Sequence, residues 1–133
     1  MEGALMTLKL ILLVAAAGAL GSTLRYLINL LFLRGGVTGL PYATLTVNVL
    51  GCFLAGLLFG LFATKFAKYA NYAPVLMVGF LGAFTTFSTF ALESVTLLAG
   101  GAIWKGLLNI ALQNLAGLGA ISAGLGLVRQ ICR

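Results

Sequence analysis

Four stretches of this chain are long and apolar enough to cross a lipid bilayer as helices, and nothing else in the sequence constrains the fold as tightly. They run over about residues 8–33, 42–64, 73–99 and 102–128. A hydrocarbon core about 30 Å thick needs about 20 apolar residues of helix. Strands are a poor reading, because the runs are too long and show no period of two. The connections "RGGVTGLP", "KFAKYANY" and "GGAIWK" carry the glycines, prolines and lysines of short turns. Composition agrees: 62% of the 133 residues are hydrophobic, with eight basic and two acidic side chains, where a soluble domain is about a quarter charged. The expected fold is an all-α membrane protein, one domain over residues 1–133 with four transmembrane helices. The segment "KLILLVAAAGA" resembles a secretory signal peptide. Its apolar run resumes after Arg25 and continues to Leu33, with three more spans behind it, so it reads as the first span.

The same inventory excludes several functions. There is no histidine, and the acids are Glu2 and Glu93. A general acid–base pair would have to draw on Glu2 at the polar start, so an enzyme is not expected. The net charge is +6 but scattered, and nucleic-acid binding needs a basic stripe on a soluble face. Cys52 and Cys132 form neither a metal-ligand spacing nor a disulfide framework.

With four spans, both termini and the middle loop share one side of the membrane. That side carries Lys9, Lys65, Lys68, Arg129 and Arg133, and the other carries Arg34 and Lys105, with Arg25 inside the first span. The bias nominally places both termini inside. It is small enough that insertion in both orientations, and hence a dimer of oppositely oriented copies, is open. Gly51, Gly56 and Gly60 in the second span, Gly79 and Gly82 in the third, and Gly117, Gly119, Gly124 and Gly126 in the fourth allow close helix packing. Such narrow interfaces leave little room for a pore within one chain, which points to function at a subunit interface.

Polar side chains inside spans are costly, so they are functional candidates by default. Arg25 is either a snorkelling side chain or a charge that draws anions to an aqueous vestibule. Thr44 and Asn48 stand four apart on one helix face. Asn48 either joins helices by hydrogen bonds or offers a donor to a passing ion. The stretch "FLGAFTTFSTFALE" winds rings and hydroxyls together. Phe80 and Phe84 read as packing. Phe87 and Phe90 share a face, and Thr85 with Ser88 or Thr89 would do so on a continuous helix. Hydroxyls that bond back to the i−4 carbonyl, beside Gly79 and Gly82, favour a break near the middle of this span. A broken helix offers carbonyls to a cation and amides to an anion. A phenylalanine ring is positive at its edge, so ring edges with hydroxyls and an amide suit a small anion held weakly enough to be released. Glu93 reads as a carboxylate near water, as a partner of Arg25, or as a proton carrier of the kind used by small multidrug antiporters.

At these residues the chain resembles the Fluc (CrcB-type) fluoride channels of bacteria and archaea. The resemblance rests on "GALGSTLRY", "ATLTVNVLGCFLAG" and "GFLGAFTTFSTFALE", with "NIALQNLAGLGAISAG" a weaker match. It implies an antiparallel, dual-topology homodimer in the inner membrane, with two fluoride pathways. It implies passive export that protects the cell from fluoride. By motif position Phe87 and Phe90 look like the pore rings, and Asn48 like the pore asparagine. Thr44, Ser88 and Thr89 look like parts of a polar track, Arg25 like a vestibule arginine, and Glu93 like the acid that follows the motif. It further implies a structural sodium ion held by the backbone carbonyls of Gly82 and Thr85; carbonyl oxygens suit a hard cation. Two positions depart from the pattern: Ala91 stands where a hydroxyl often follows the second ring, and Gln113 where a serine is expected. The alternatives are a proton-coupled antiporter using Glu93 and a membrane subunit that transports nothing.

Overall fold

A computed structural model of the chain describes residues 2–36 and 38–132. Arg133, which entered the charge bias, and Val37 of the first connection lie outside the described residues, as does the side chain of Glu2. The described residues are helical apart from their connections. Helix α1 spans Glu2–Arg34 and α2 spans Tyr42–Ala63. The third span, Val75–Ala99, holds α3 (residues 75–84) and α4 (Phe87–Ala99). Helix α5 spans Ile103–Ile131. These give four membrane-crossing elements by length and composition.

Each connection has a local cause. Pro41 precedes α2, where its missing N–H is not needed, and Leu45 closes the first turn onto the Pro41 carbonyl at 3.0 Å. After α2 the chain makes a short 3₁₀ helix, Ala67–Tyr72. Here Lys68 lies 4.8 Å over the Tyr69 ring and Lys9 of α1 lies 5.9 Å over Tyr72. Helix α4 ends at Ala99, and two residues on, Gly101 has a φ of +80°, which only glycine adopts freely. Ala102 N–H then reaches the Leu97 carbonyl and Gly101 N–H the Leu98 carbonyl, which terminates the helix and reverses the chain.

Glycines set the packing of the bundle. Helix α1 runs parallel to the third span. A Cβ at Gly79 would come within 2.8 Å of the Val14 carbonyl oxygen, and one at Gly21 would strike the Phe80 carbonyl. Helices α2 and α5 also run parallel. A Cβ at Gly56 would strike the Ile121 carbonyl, one at Gly124 the Phe53 carbonyl, and one at Gly60 would sit 3.0 Å from Val128. These helices meet backbone to backbone, as small residues permit in lipid.

The third span is bent. Val75–Leu81 winds in wide i→i+5 turns, Gly82–Phe84 returns to α-helix, and Thr85 and Thr86 are extended. Wide turns and bends of this kind have local causes. Here Pro74 precedes the segment, and the Thr85 hydroxyl bonds back to the Leu81 carbonyl at 3.0 Å. Phe80 and Phe84 stack at 5.6 Å with Phe84 buried, so this pair is packing.

Candidate functional site

The bend at Thr85–Thr86 is held from α2 by one side chain. Asn48 Oδ1 accepts the Thr86 N–H at 2.8 Å, while Asn48 Nδ2 donates to the Thr86 carbonyl at 3.1 Å. The amide therefore pairs with both polar groups of a single residue: it replaces the helical acceptor that the Thr86 N–H loses at the bend, and adds a donor to the N-cap carbonyl. Asn48 Nδ2 also donates to Gln113 Oε1 of α5 at 3.0 Å. Both of its hydrogens are thereby engaged.

Thr86 then starts α4. Its hydroxyl accepts from Thr89 N–H at 3.3 Å and donates to the Thr89 hydroxyl at 2.9 Å, with the Ser88 hydroxyl 3.4 Å away. This is an N-cap, the usual work of a threonine before a helix. The face that Thr85 would share with Ser88 or Thr89 on a continuous helix does not form. It required a continuous helix, and the extended residues turn the Thr85 hydroxyl back onto α3. Thr86 takes its place in the cluster.

Two further polar contacts continue along the same helices. Thr44, one turn before Asn48 and almost fully buried, donates to the Glu93 carboxylate at 2.7 Å. The other carboxylate oxygen of Glu93 is buried with no partner among the described residues. Glu93 thus meets Thr44 of α2. Asn109 of α5 donates to Ser94 at 2.9 Å, and Ser94 bonds back to the Phe90 carbonyl. Ala91 offers no hydroxyl between these pairs. Arg25 is half-buried on α1, one turn beyond Gly21, and shares no hydrogen bond with the cluster.

Phe87 and Phe90 meet edge to face, with centroids 5.4 Å apart. Their environments differ sharply: Phe90 is 9% exposed and Phe87 is 78% exposed. Both rings line an open concavity of about 380 Å³ with Asn48, Thr85, Thr86 and Gln113. Gly51 borders it because a Cβ there would strike the Thr85 methyl. Gly82 is exposed on the same wall. Gly82 and Thr85 are among the carbonyls beside the bend that lose their regular helical donors. The Thr86 N–H that Gly82 would receive goes to Asn48, and the Thr89 N–H that Thr85 would receive goes to the Thr86 hydroxyl.

The sequence reading did not single out Thr86, Ser94 or Asn109 as site residues. A threonine is a preferred N-cap, so a helix restarting after the break at Phe87 would mark Thr86. Asn109 and Gln113 stand four apart, as Thr44 and Asn48 do, which places each pair on one helix face.

The family model described as CrcB-like protein, Camphor Resistance (CrcB), matches residues 12–125. Several relatives carry the name fluoride-specific ion channel FluC. One from Rhizobium meliloti is 42% identical over 121 residues, covering 91% of this chain and 97% of its own length. One from Desulforapulum autotrophicum is 41% identical over 118 residues, covering 89% and 94%. A third, from Salinibacter ruber, is 37% identical over 116 residues, covering 87% and 86%.

Proposed function

The chain belongs to the CrcB-like family, and from that premise we propose that it is a fluoride-selective channel of the inner membrane. In this reading two copies assemble antiparallel, and fluoride leaves the cell passively through pathways at their interface. The observation that carries it is the open wall of the single subunit. There Phe87, exposed over most of its surface, stands beside Asn48, Thr86 and Gln113. A ring and buried amides on one concave face are incomplete in lipid, and a second subunit would close them into a path. The edge-to-face pair sets the positive edge of one ring toward the face of the other, an arrangement that can also present an edge to an anion. In this reading Thr44, Ser88 and Thr89 would extend the polar track beyond the concavity, Arg25 would gather anions at a mouth, and Glu93 stands beside Thr44.

The bend further suits a structural sodium ion. The Gly82 and Thr85 carbonyls, freed of their regular donors on an outward-facing wall, are hard oxygen ligands of the right kind. Bound there, the ion would satisfy backbone groups that lipid cannot. Chains of opposite orientation would then share it across the interface.

Purified protein in liposomes should pass fluoride and exclude chloride when a gradient is discharged with valinomycin and potassium. Absence of fluoride flux, or equal passage of chloride, overturns the reading. A second reading is favoured by one observation, the unpartnered buried oxygen of Glu93: proton-coupled exchange through that carboxyl. Glu93→Gln separates the two, because an exchanger loses its proton coupling and a channel keeps electrogenic, uncoupled flux.

A further inference from the structure

In this chain a single direction of hydrogen bonding runs from the backbone to Gln113. The Thr86 N–H can only donate, so the Asn48 atom facing it is the oxygen. That places Nδ2 toward the Thr86 carbonyl and toward Gln113. Nδ2 can only donate, so Gln113 must turn its oxygen to it. The Gln113 nitrogen is the free end of this relay. It is buried with no partner among the described residues, on a residue 8% exposed that lines the concavity of Phe87 and Phe90. A buried donor without an acceptor is costly, and low dielectric raises that cost.

We propose that the amide donor this chain offers to a permeating anion is Gln113 Nε2, and that Asn48 acts as the positioning residue that orients it. The proposal rests on the channel reading and reassigns the donor within it. Asn48 has no hydrogen left to give, since both are held by Thr86 and Gln113. Gln113 Nε2 presents two hydrogens and no acceptor, so it attracts anions and rejects cations. It lies within the wall, out of reach of water. A group so covered takes a small bare ion in preference to a hydrated one, once a wall side chain gives way. This extends the polar lining onto α5.

The chain holds two glutamines, Gln113 and Gln130, and the second is exposed near the end of α5. Glutamine-selective ¹⁵N labelling of the full-length protein in detergent therefore gives two side-chain amide signals, one an internal control. Titration with sodium fluoride should shift the Gln113 pair and leave Gln130 in place, while sodium chloride moves neither. Gln113→Met supplies an independent flux test. It deletes the donor but frees a hydrogen of Asn48, which Thr86 still holds by two bonds. If Gln113 is the donor, fluoride flux in liposomes falls by about tenfold to a hundredfold, the loss expected for one hydrogen bond to a charged group. If Asn48 is the donor, flux stays level or rises. A Gln113 signal indifferent to fluoride, or undiminished flux in the variant, overturns the assignment while wild-type flux keeps the channel reading intact. No fluoride flux in the wild type overturns the channel reading itself.

Discussion

The two halves of α2 solve the problem of packing in lipid by opposite means. Its first half, around Thr44 and Asn48, meets the third span and α5 through side-chain hydrogen bonds. Its second half, around Gly56 and Gly60, meets α5 backbone against backbone, and the one side-chain bond there among the described residues, from the Thr64 hydroxyl to Cys132 Sγ at 3.6 Å, lies where the two helices end. Both halves face α5, so the partner helix does not explain the difference. The glycine half gains dispersion over a close, rigid seam that has no freedom to change. The polar half gains little net energy per bond, because helices separated in a membrane find other partners for such groups. What it gains is direction: each donor fixes the orientation of the next. The rigid half holds the bundle together, and the polar half holds the side chains of the candidate site.

Substitutions can break this contrast or sharpen it. The largest effect is expected for Gly56→Leu, whose side chain must occupy the position of the Ile121 carbonyl. It should cost about 3 kcal/mol, the upper end for overpacking, read as a shift in SDS-induced unfolding in mixed micelles. Asn48→Leu comes next. It keeps the branched shape but strands the Thr86 N–H and removes the second donor to its carbonyl, a loss of about 2 kcal/mol. Hydrogen exchange at Thr86 should quicken, and fluoride flux should fall to background. A smaller effect on stability separates the rings. Phe87→Ile should leave the folded subunit within about 0.5 kcal/mol of wild type, as for an exposed site. It should nevertheless abolish flux, which buried Phe90 cannot replace. Thr44→Val should likewise cost little, about 0.6 kcal/mol for one membrane hydrogen bond. Gly126→Ala serves as the silent reference, since nothing lies within 4 Å of its added carbon. Equal costs at Gly56 and Gly126 would remove the distinction between the two halves.

How much of this was legible without coordinates varies along the chain. The four spans were, because a run of about 20 apolar residues has one use in a protein of this size. So was the common face of Thr44 and Asn48, fixed by helical period alone, and the separation of Phe80 and Phe84 from the later rings. The place of the bend was legible to within a few residues, from the hydroxyls beside Gly79 and Gly82. Its mechanism was not: the residue that matters is Thr86, released from the helix because a side chain 38 positions earlier takes both of its backbone groups. Local pattern cannot report a bond of that range. Gln113 showed the same limit. Its type and position marked it as unusual, but only the contact with Asn48 decided which of its two ends is free.

The sequence by itself determined the solvent, the number of crossings, the residue types at the site and the family. Each follows from composition, length and motif, which survive without knowledge of any contact. The tertiary structure decided which polar group faces which. It turned Thr85 away from Ser88 and Thr89, joined Glu93 to Thr44, and spent both hydrogens of Asn48 on neighbours. The physical reason is that donors and acceptors in a low-dielectric interior must be matched one to one, and that matching is set only when all the helices are in place.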